Sequence, residues 1–467
     1  MKLPTSINDL QADLVNKKFS ALELVYEYLN RIEKFDGEIN AYITVTKDEA
    51  VARAKSIDKL IESEGKDIKK TKPLFGVPLA HKDMFLTQGT KTTAASNLLR
   101  DYVPQYSATV VKKLENAGSI MLGKLNCDAW AHGSSGENSD FGHTKNPWNR
   151  DYVPGGSSSG SGAAVSADFA LVATGTDTCG SIRLPANFCG VVGLKPTYGM
   201  VSRYGVVAMA SSLDTVGHLT KTVNDARKIY DITKGTDGND STLTTPSYKK
   251  PINKITIGIP KEFFTTGVEG ETLKKIEEAI EVFKKIGYSF KEISLPHTKY
   301  AVSVYYIIQP AEVSSNLSRY DGVRYGETRN HFGKEAKRRI ILGSYVLSSG
   351  YYDAYYLNAM KVRTVIVEEL NKVFENVDAL IAPVSPDTPF KLGEKVNDPL
   401  KMYLTDVFNA TASMAGIPSL ALPFGFSSSE LPLGFQIMGP RFSEDLLFDI
   451  GEGFEQATHY KPSVVNF

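Results

Sequence analysis

The sequence lacks a long apolar run and a surplus of charge of either sign. Its longest apolar stretch, residues 162–172, contains Ser and Asp and is shorter than the roughly 20 residues that a membrane-spanning helix needs. Lys plus Arg number 53 and Asp plus Glu number 53, so no bulk positive field is available to hold a nucleic acid. We expect no membrane span, and any nucleic acid would need a second subunit to bind it.

Cysteine is also scarce. The three cysteines, Cys127, Cys179 and Cys189, form no C-x-x-C pair and have no histidine at metal-ligand spacing. These features disfavour a disulfide framework and a zinc site, so we predict no metal site. The first twenty residues contain no apolar segment typical of a signal peptide, and a cytoplasmic location is therefore expected.

Helical periodicity dominates the first seventy residues. Ser20 and Thr46 each precede an amphipathic stretch and have an acidic residue three positions later, as in a capping box. The pattern predicts outer helices over about residues 1–70. An extended run over residues 75–80, which contains Pro78, then predicts a strand that ends in a functional loop at residues 81–83.

The rest of the chain alternates strand and helix patterns. A Gly/Ser/Ala-rich centre lies within a predicted core over about residues 75–220, and residues 234–251 read as a loop. A helix is predicted over residues 271–286, and the tail predicts strands over 379–383, 419–423 and 433–438. This mixture predicts one α/β domain over residues 1–467, a layered α/β/α sandwich around a large mixed sheet.

The segment PGGSSSGSGAA, residues 154–164, places two glycines before three serines and the start of a small-residue helix. Backbone N–H groups crowd at such a position, which a phosphate could use. A P-loop, however, needs Lys-Ser/Thr after the last glycine, and that pair is absent. A plain flexible linker is the other simple interpretation.

The segment DTCGSIRLP, residues 177–185, places Ser181 at the start of a predicted helix. Successive N–H groups at this position can form an oxyanion hole, and the helix dipole adds favourable charge. By itself, the same pattern equally fits an N-cap serine on a structural helix.

Lys82 is the candidate base. A lysine directly after an apolar strand is ordinarily a surface residue, but a desolvated lysine loses its proton more easily and can act as a base near neutral pH. None of the seven histidines lies in a recognisable triad context, although His81, the nearest to the site, remains an alternative. We therefore favour a serine–lysine site.

Three segments together, GVPLAHKD, GGSSSGSGAA and DTCGSIRLPANFCGVVGLKPTYG, resemble the amidase-signature family in order and along nearly the whole chain. The resemblance implies that Ser181 is the nucleophile, that Ser157 follows a cis peptide bond and relays the proton, and that Lys82 is the base. It also implies that the backbone N–H groups of Thr178, Cys179, Gly180 and Ser181 bind the oxyanion. Cys179 stands where glycine is common, which would cost backbone strain if this position needs a positive φ.

The C-terminal half narrows the resemblance to the glutamine-hydrolysing subunits of tRNA-dependent amidotransferases. The strings that carry it are KPTYGMVSRYGVVAMASSLD, EVSSNLSRYDGVRYG, FGKEAKRRIILGSYVLSSGYYDAYY and MYLTDVFNATASMAGIPSLALPFG. By local alignment, glutamine would be held by Tyr306, Arg339 and Asp406, with Tyr305 as an alternative to Tyr306. Without the resemblance, Arg339 within KEAKRR reads as part of a solvated basic helix face.

The resemblance also implies a place in a larger reaction. Glutamine hydrolysis here would supply ammonia to a B subunit, which amidates Glu-tRNA(Gln) or Asp-tRNA(Asn) with ATP and Mg, while a small C subunit braces the pair. This chain itself would need no cofactor and would meet tRNA only through the B subunit. The alternatives are a free-standing amidase acting on a small carboxamide and a catalytically silent scaffold or nucleotide-binding module.

Overall fold

The structure is a computed structural model that describes residues 2–248, 254–264, 267–324, 326–465 and 467. The helices are α1 Ile7–Val15, α2 Ala21–Ile39, α3 Lys47–Glu64, α4 Ile68–Thr71, α5 Thr109–Asn116, α6 Ser159–Ser166, α7 Arg183–Cys189, α8 Val223–Thr233, α9 Gly270–Lys285, α10 Ala301–Asn316, α11 Lys334–Val346, α12 Asn358–Val373, α13 Pro399–Leu404, α14 Val407–Ala415 and α15 Glu444–Ala457. The strands are β1 Tyr42–Val45, β2 Pro78–Lys82, β3 Ile120–Leu125, β4 Val172–Asp177, β5 Val192–Lys195, β6 Thr215–Thr220, β7 Thr256–Pro260, β8 Ser289–Ile293, β9 Ala379–Ala382, β10 Ser419–Phe426 and β11 Pro432–Met438.

Within the described residues these strands form one sheet in the order β1-β3-β2-β4-β6-β5-β10-β11-β9-β7-β8. The sheet is mixed, because β2 runs parallel to β3 and β4 whereas β4 and β6 are antiparallel. Helices α6 and α7 pack together against its centre, and α8 and α15 form a second pair against β5, β6 and β10. The predicted α/β fold around a large mixed sheet is confirmed.

The centre of the sheet is buried throughout. Every residue of β4, β5, β6 and β11 is buried, as expected for strands covered by helices on both faces. Glycine, alanine and serine are frequent in α6, and this composition lets the helix approach the sheet closely. Polar side chains that extend from these strands are therefore held in a rigid, water-poor environment.

The N-terminal helices form where the sequence predicts them. Ser20 and Glu23 complete a capping box at the start of α2. Thr46 also precedes a helix, but its side chain accepts no capping hydrogen bond, and its hydroxyl donates to the Met121 carbonyl, at 3.3 Å. The segment predicted as helices alone also contributes the edge strand β1, which pairs with β3.

The strand that carries the candidate base differs from its predicted bounds. The apolar run predicts a strand over residues 75–80, whereas β2 begins at Pro78 and includes His81 and Lys82. Pro78 is tolerated because it is the first residue of the strand. Lys82 thus belongs to a strand of the sheet rather than to a loop.

The other element predictions agree more closely. Helix α9 begins at Gly270 and ends at Lys285, one residue before each predicted bound. The tail strands β9, β10 and β11 form where they are predicted, with β10 extending three residues beyond its predicted end. Residues 235–248 form no helix or strand, and the last three residues of that predicted loop lie outside the described residues.

Candidate active site

Ser157 lies in the loop that precedes α6. The peptide bond between Gly156 and Ser157 is cis, as the resemblance implies. A Cβ atom at Gly156 would overlap the Asp128 carboxylate, so only glycine leaves room for it. Ser157 is fully buried, and its carbonyl oxygen accepts the Asp128 N–H at 3.1 Å. The loop is thereby held against the segment that follows β3.

Lys82 ends β2 with its side chain fully buried, so it is not the surface residue that its position by itself suggests. Its Nζ atom donates to Ser157 Oγ at 2.7 Å and to Thr176 Oγ1 at 2.8 Å. Burial lowers the pKa of Lys82 to about 8, against the opposing effect of groups that include Asp128 and Asp177. Since a neutral amine is accessible near neutral pH, Lys82 can accept a proton from Ser157.

Ser181 lies in the loop between β4 and α7, two residues before the helix begins at Arg183. It is 7% exposed, whereas Lys82 and Ser157 are both 0% exposed. The carbonyl oxygen of Ser181 accepts the Ser158 N–H at 3.1 Å, which joins the two serine loops. The structure therefore brings the three predicted catalytic residues together, with Ser181 the most accessible of them.

A buried ion pair supports the Ser181 loop. The Arg183 guanidinium donates through Nε and Nη2 to the two carboxylate oxygens of Asp177, each at 3.0 Å. Burial alone would raise the pKa of Asp177, but the charge and hydrogen bonds of Arg183 hold it below its usual value. Sequence reasoning missed this pair, although an acid and an arginine six residues apart around the nucleophile are a readable signal.

The predicted oxyanion hole is only partly available. The Gly180 N–H donates to Asp177 Oδ1 at 2.7 Å, so it is not free to bind an oxyanion, contrary to the prediction. For the N–H groups of Thr178, Cys179 and Ser181, we find no acceptor within the described part of the chain. Three of the four predicted donors thus remain candidates.

The backbone strain considered for Cys179 does not arise. The residue of the loop with a positive φ is Gly180, at +108°, and Cys179 is not among the positive-φ residues. A Cβ atom at Gly180 would also lie 2.8 Å from the Asn409 side-chain nitrogen, so this position needs glycine on two grounds. Cysteine in place of glycine at position 179 therefore imposes no left-handed backbone.

Thr176 is a site residue that sequence reasoning missed. It is the second hydrogen-bond partner of Lys82, and we expect Thr176→Val to lower kcat by roughly 10- to 100-fold, as for loss of one hydrogen bond to a charged group. Because Thr176 is expected to act on Lys82 rather than on the bound substrate, KM should change little. Steady-state kinetics of the variant test this expectation, with thermal unfolding as the control for folding. An unchanged kcat in a folded variant would contradict it.

His81, the alternative base, is directed elsewhere. The neighbouring Lys82 donates to Ser157 Oγ, whereas His81 has a different partner. The His81 ring contacts Thr174 Oγ1 at 3.2 Å, and burial lowers the pKa of His81 to about 3. A proton transfer from Ser181 to His81 is not supported by this geometry.

A second group of side chains includes Asp406, which lies directly before α14. Its Oδ2 atom accepts from Ser134 Oγ at 2.7 Å and from Tyr306 Oη at 3.4 Å. Tyr306, rather than Tyr305, is therefore the tyrosine that contacts Asp406. Burial raises the pKa of Asp406 to about 7, and a positive ligand group beside it would offset that desolvation. Sequence reasoning missed Ser134.

Arg339 completes this group and is not part of a solvated basic face. It is 4% exposed, and its guanidinium carbon lies 5.6 Å from the Tyr306 ring centroid. Nε donates to Glu335 and Nη1 donates to Gln309, each at 2.9 Å. Tyr306 thus contacts a basic residue, Arg339, through its ring and an acidic residue, Asp406, through its hydroxyl.

Two structural features are absent from the described part of the chain. Among the described residues, no group of three or more His, Cys, Asp or Glu side chains is arranged to hold a metal ion. No helix in the described ranges is both long enough and apolar enough to cross a membrane.

Comparison with known proteins agrees with this geometry. The Amidase family profile matches residues 23–448. The A subunits of glutamyl-tRNA(Gln) amidotransferase from Geobacter metallireducens and Trichlorobacter lovleyi are 48% and 47% identical, and each alignment covers 97% of both chains. The crystal structure of the corresponding subunit from Thermotoga maritima superposes with a TM-score of 0.83 at 39% identity, covering 100% of both chains. The chain therefore belongs to the Amidase family and, within it, to the A subunits of glutamyl-tRNA(Gln) amidotransferase.

Proposed function

We propose that this chain hydrolyses glutamine and supplies the ammonia to a tRNA-dependent amidotransferase. The observation that carries the proposal is the contact of the buried Lys82 with Ser157 beside Ser181, the least buried of the three, together with the opposite charges of Asp406 and Arg339, which both act on the neighbouring Cys179. A serine–lysine site cleaves a carboxamide, and a pocket with one cation and one anion suits a free α-amino acid. Glutamine carries both features in one molecule.

The reaction begins at the Ser181 hydroxyl. Ser181 Oγ attacks the side-chain amide carbon of glutamine as its proton passes to Ser157 Oγ, while the Ser157 proton passes to Lys82 Nζ. The tetrahedral oxyanion is bound by the backbone N–H groups of Thr178, Cys179 and Ser181. Return of the proton by the same path expels ammonia and leaves an ester on Ser181, which water then cleaves to glutamate.

The two charged groups orient the substrate. The Arg339 guanidinium pairs with the α-carboxylate, the Asp406 carboxylate pairs with the α-ammonium, and the Tyr306 hydroxyl lies beside Asp406. Fixing both charged groups on the Cα atom of glutamine orients its side-chain amide toward Ser181 and excludes amides that lack either group. Ser134 holds the Asp406 carboxylate in position through its hydroxyl.

The ammonia must leave away from water to be used elsewhere. A cavity of about 260 Å³ reaches Thr176, the partner of Lys82, and is also lined by Asp214, Arg203 and Arg319. This cavity supports a route for ammonia from the Lys82 side of the site. We propose that it leads to a B subunit that binds ATP, Mg and tRNA, with a small C subunit completing a cytoplasmic complex and no cofactor in this chain.

A free-standing amidase acting on a small carboxamide is the second candidate. It would use the same Lys82, Ser157 and Ser181 but would have no need of a charged pair in its substrate pocket. The buried Arg339 and Asp406 favour glutamine, because Asp406 has only hydroxyl partners among the described residues, and the free-energy cost of burying its charge would be offset by a ligand ammonium. Activity toward glutamine compared with aliphatic and aryl amides separates the two functions.

We expect Arg339→Ala and Asp406→Asn each to raise KM for glutamine by roughly 10- to 1000-fold, because each leaves one charged α-group of the substrate unpaired. Ammonia supplied in solution should still support tRNA amidation by the complete complex.

Since the pKa of Asp406 is about 7, protonation below that pH removes its charge and should weaken inhibition by the product L-glutamate. In Asp406→Asn this pH dependence should disappear, and unchanged glutamine kinetics in both variants would favour the free-standing amidase.

A further inference from the structure

Gln309 lies in the middle of α10 and is fully buried. Its Oε1 atom accepts from Arg339 Nη1 at 2.9 Å, whereas its Nε2 atom has no hydrogen-bond partner among the described residues. Buried side-chain amides ordinarily satisfy both of their polar ends, and an unpaired end lowers stability. Gln309 is therefore a poor choice for stability alone, and its one hydrogen bond is to the proposed substrate-binding arginine.

The partners of Arg339 leave one side of the guanidinium free. Glu335 holds Nε from the same helix, and Gln309 holds Nη1 from α10, which is packed against it. The Nη2 atom makes no hydrogen bond to any described residue of the chain. Because the guanidinium is planar, anchoring two nitrogens fixes the direction in which the third presents its N–H groups.

The charges that face Arg339 explain why the Nη1 partner is neutral. Glu335 and Asp406 are the carboxylates that act on Arg339, whereas burial raises the pKa of Tyr305 and of Tyr306, so both are uncharged at neutral pH. The nearby His132 is fully buried, and burial followed by the charge of Arg339 lowers its pKa, so it adds no charge. A carboxylate at position 309 would neutralise the guanidinium further and compete with the substrate's own carboxylate.

We propose that Gln309 is a positioning residue for α-carboxylate recognition, which orients the Arg339 fork toward the substrate without neutralising its charge. This inference rests on the proposed function, because it gives Gln309 a role in glutamine binding. The residue at position 309 must combine two properties. Gln309 needs an acceptor for geometry, and it must be neutral for electrostatics.

The test compares Gln309→Met with Gln309→Glu in the full-length protein, purified with its partner subunits. Methionine has a similar volume but no acceptor, so Arg339 loses its second anchor. We expect KM for glutamine and Ki for the product L-glutamate to rise by roughly 10-fold with kcat nearly unchanged, the size of one lost hydrogen bond to a charged group. The thermal unfolding midpoint should not fall, because the variant also removes the unpaired Nε2 amide.

Gln309→Glu keeps the acceptor and adds a charge. We expect it to raise KM and Ki more than methionine does, by roughly 100-fold, because the new carboxylate pairs with Arg339 in place of the substrate. Gln11→Met is the matched control, since Gln11 is also a buried glutamine but donates to the Pro73 carbonyl, far from Arg339 in the fold. That variant should lower the unfolding midpoint and leave KM unchanged.

The outcomes distinguish the inference from the proposed function. If Arg339→Ala raises KM but Gln309→Met leaves KM and Ki unchanged, the role of Gln309 is refuted while glutamine binding by Arg339 stands. If Arg339→Ala itself leaves KM unchanged, the proposed function fails first. A Gln309→Met variant that loses kcat or stability at constant KM would show a structural role and also overturn the inference.

Discussion

Replacing Ser181 with alanine is expected to abolish glutamine hydrolysis and to leave no covalent acyl-enzyme. Ser181 is the more accessible of the two predicted catalytic serines, at 7% exposed, whereas Ser157 is 0% exposed. No other nucleophile can then form the ester. Intact-protein mass spectrometry after rapid quenching with glutamine should detect the acyl adduct in the wild type and none in Ser181→Ala.

Two companion variants sharpen this expectation. Ser157→Ala should lose roughly 100- to 10,000-fold in acylation rate, the range for removal of a positioned proton-transfer group. Ser161→Ala is the matched control, because that buried serine lies in α6 but donates to the Thr174 carbonyl at 2.9 Å. It should acylate at nearly the wild-type rate. An adduct on Ser181→Ala would mean that the nucleophile is a different residue.

Replacing Lys82 with arginine should be almost as damaging as replacing it with alanine, at roughly 100- to 10,000-fold loss of acylation. A guanidinium keeps its proton at every accessible pH and cannot accept one from Ser157. In the wild type the pKa of Lys82 is lowered to about 8, so the neutral base forms as pH rises. Single-turnover acylation should therefore increase with pH through about 8 and then level off.

A control variant is needed to show that the rise of acylation with pH comes from Lys82. Lys195 is a second fully buried lysine, and burial lowers its pKa to about 7, in the same window. Its Nζ atom donates to the Ile417 carbonyl at 2.8 Å rather than to a serine. We expect the acylation rate of Lys195→Met still to rise with pH, whereas that of Lys82→Arg should not. Wild-type acylation by Lys82→Arg near neutral pH would exclude Lys82 as the base.

Lys82 and Ser157 should also behave as one unit. Their hydrogen bond of 2.7 Å joins two steps of a single proton path, so removal of either residue already breaks it. The double variant should be little slower than the poorer single variant. Additive losses from the two substitutions would indicate independent roles.

Local chemistry explains which elements could be predicted. The capping box of Ser20 and Glu23 involves residues three apart, and α2 begins where this pattern places it. Thr46 shows where such reasoning fails, because its hydroxyl bonds to Met121, 75 residues away, and leaves the helix uncapped by a side chain. A local pattern predicts a local hydrogen bond only when the tertiary contacts of the side chain leave it in the orientation that the bond needs.

The candidate active site likewise contains features that the sequence could predict and features that it could not. The resemblance assigns Lys82, Ser157 and Ser181, and the structure brings them together. Thr176 could not be found in this way, since it is an ordinary strand residue 94 positions from Lys82 until the sheet places both side chains at one point. The Gly180 amide likewise looks free in the sequence, but the turn directs it to Asp177.

The sequence by itself determined most element types and the α/β class, because these depend on periodicity and turn residues, and the order of its motifs indicated the family and, by resemblance, predicted Lys82, Ser157 and Ser181 as the catalytic residues. Only the tertiary structure decided that Lys82 is buried, that Tyr306 rather than Tyr305 contacts Asp406, and that Arg339 is anchored by Gln309. Burial and pairing depend on segments 30 to 100 residues apart, which the chain brings into contact only when the sheet and its covering helices assemble. Desolvation then changes the pKa of Lys82, and no local sequence pattern contains that effect.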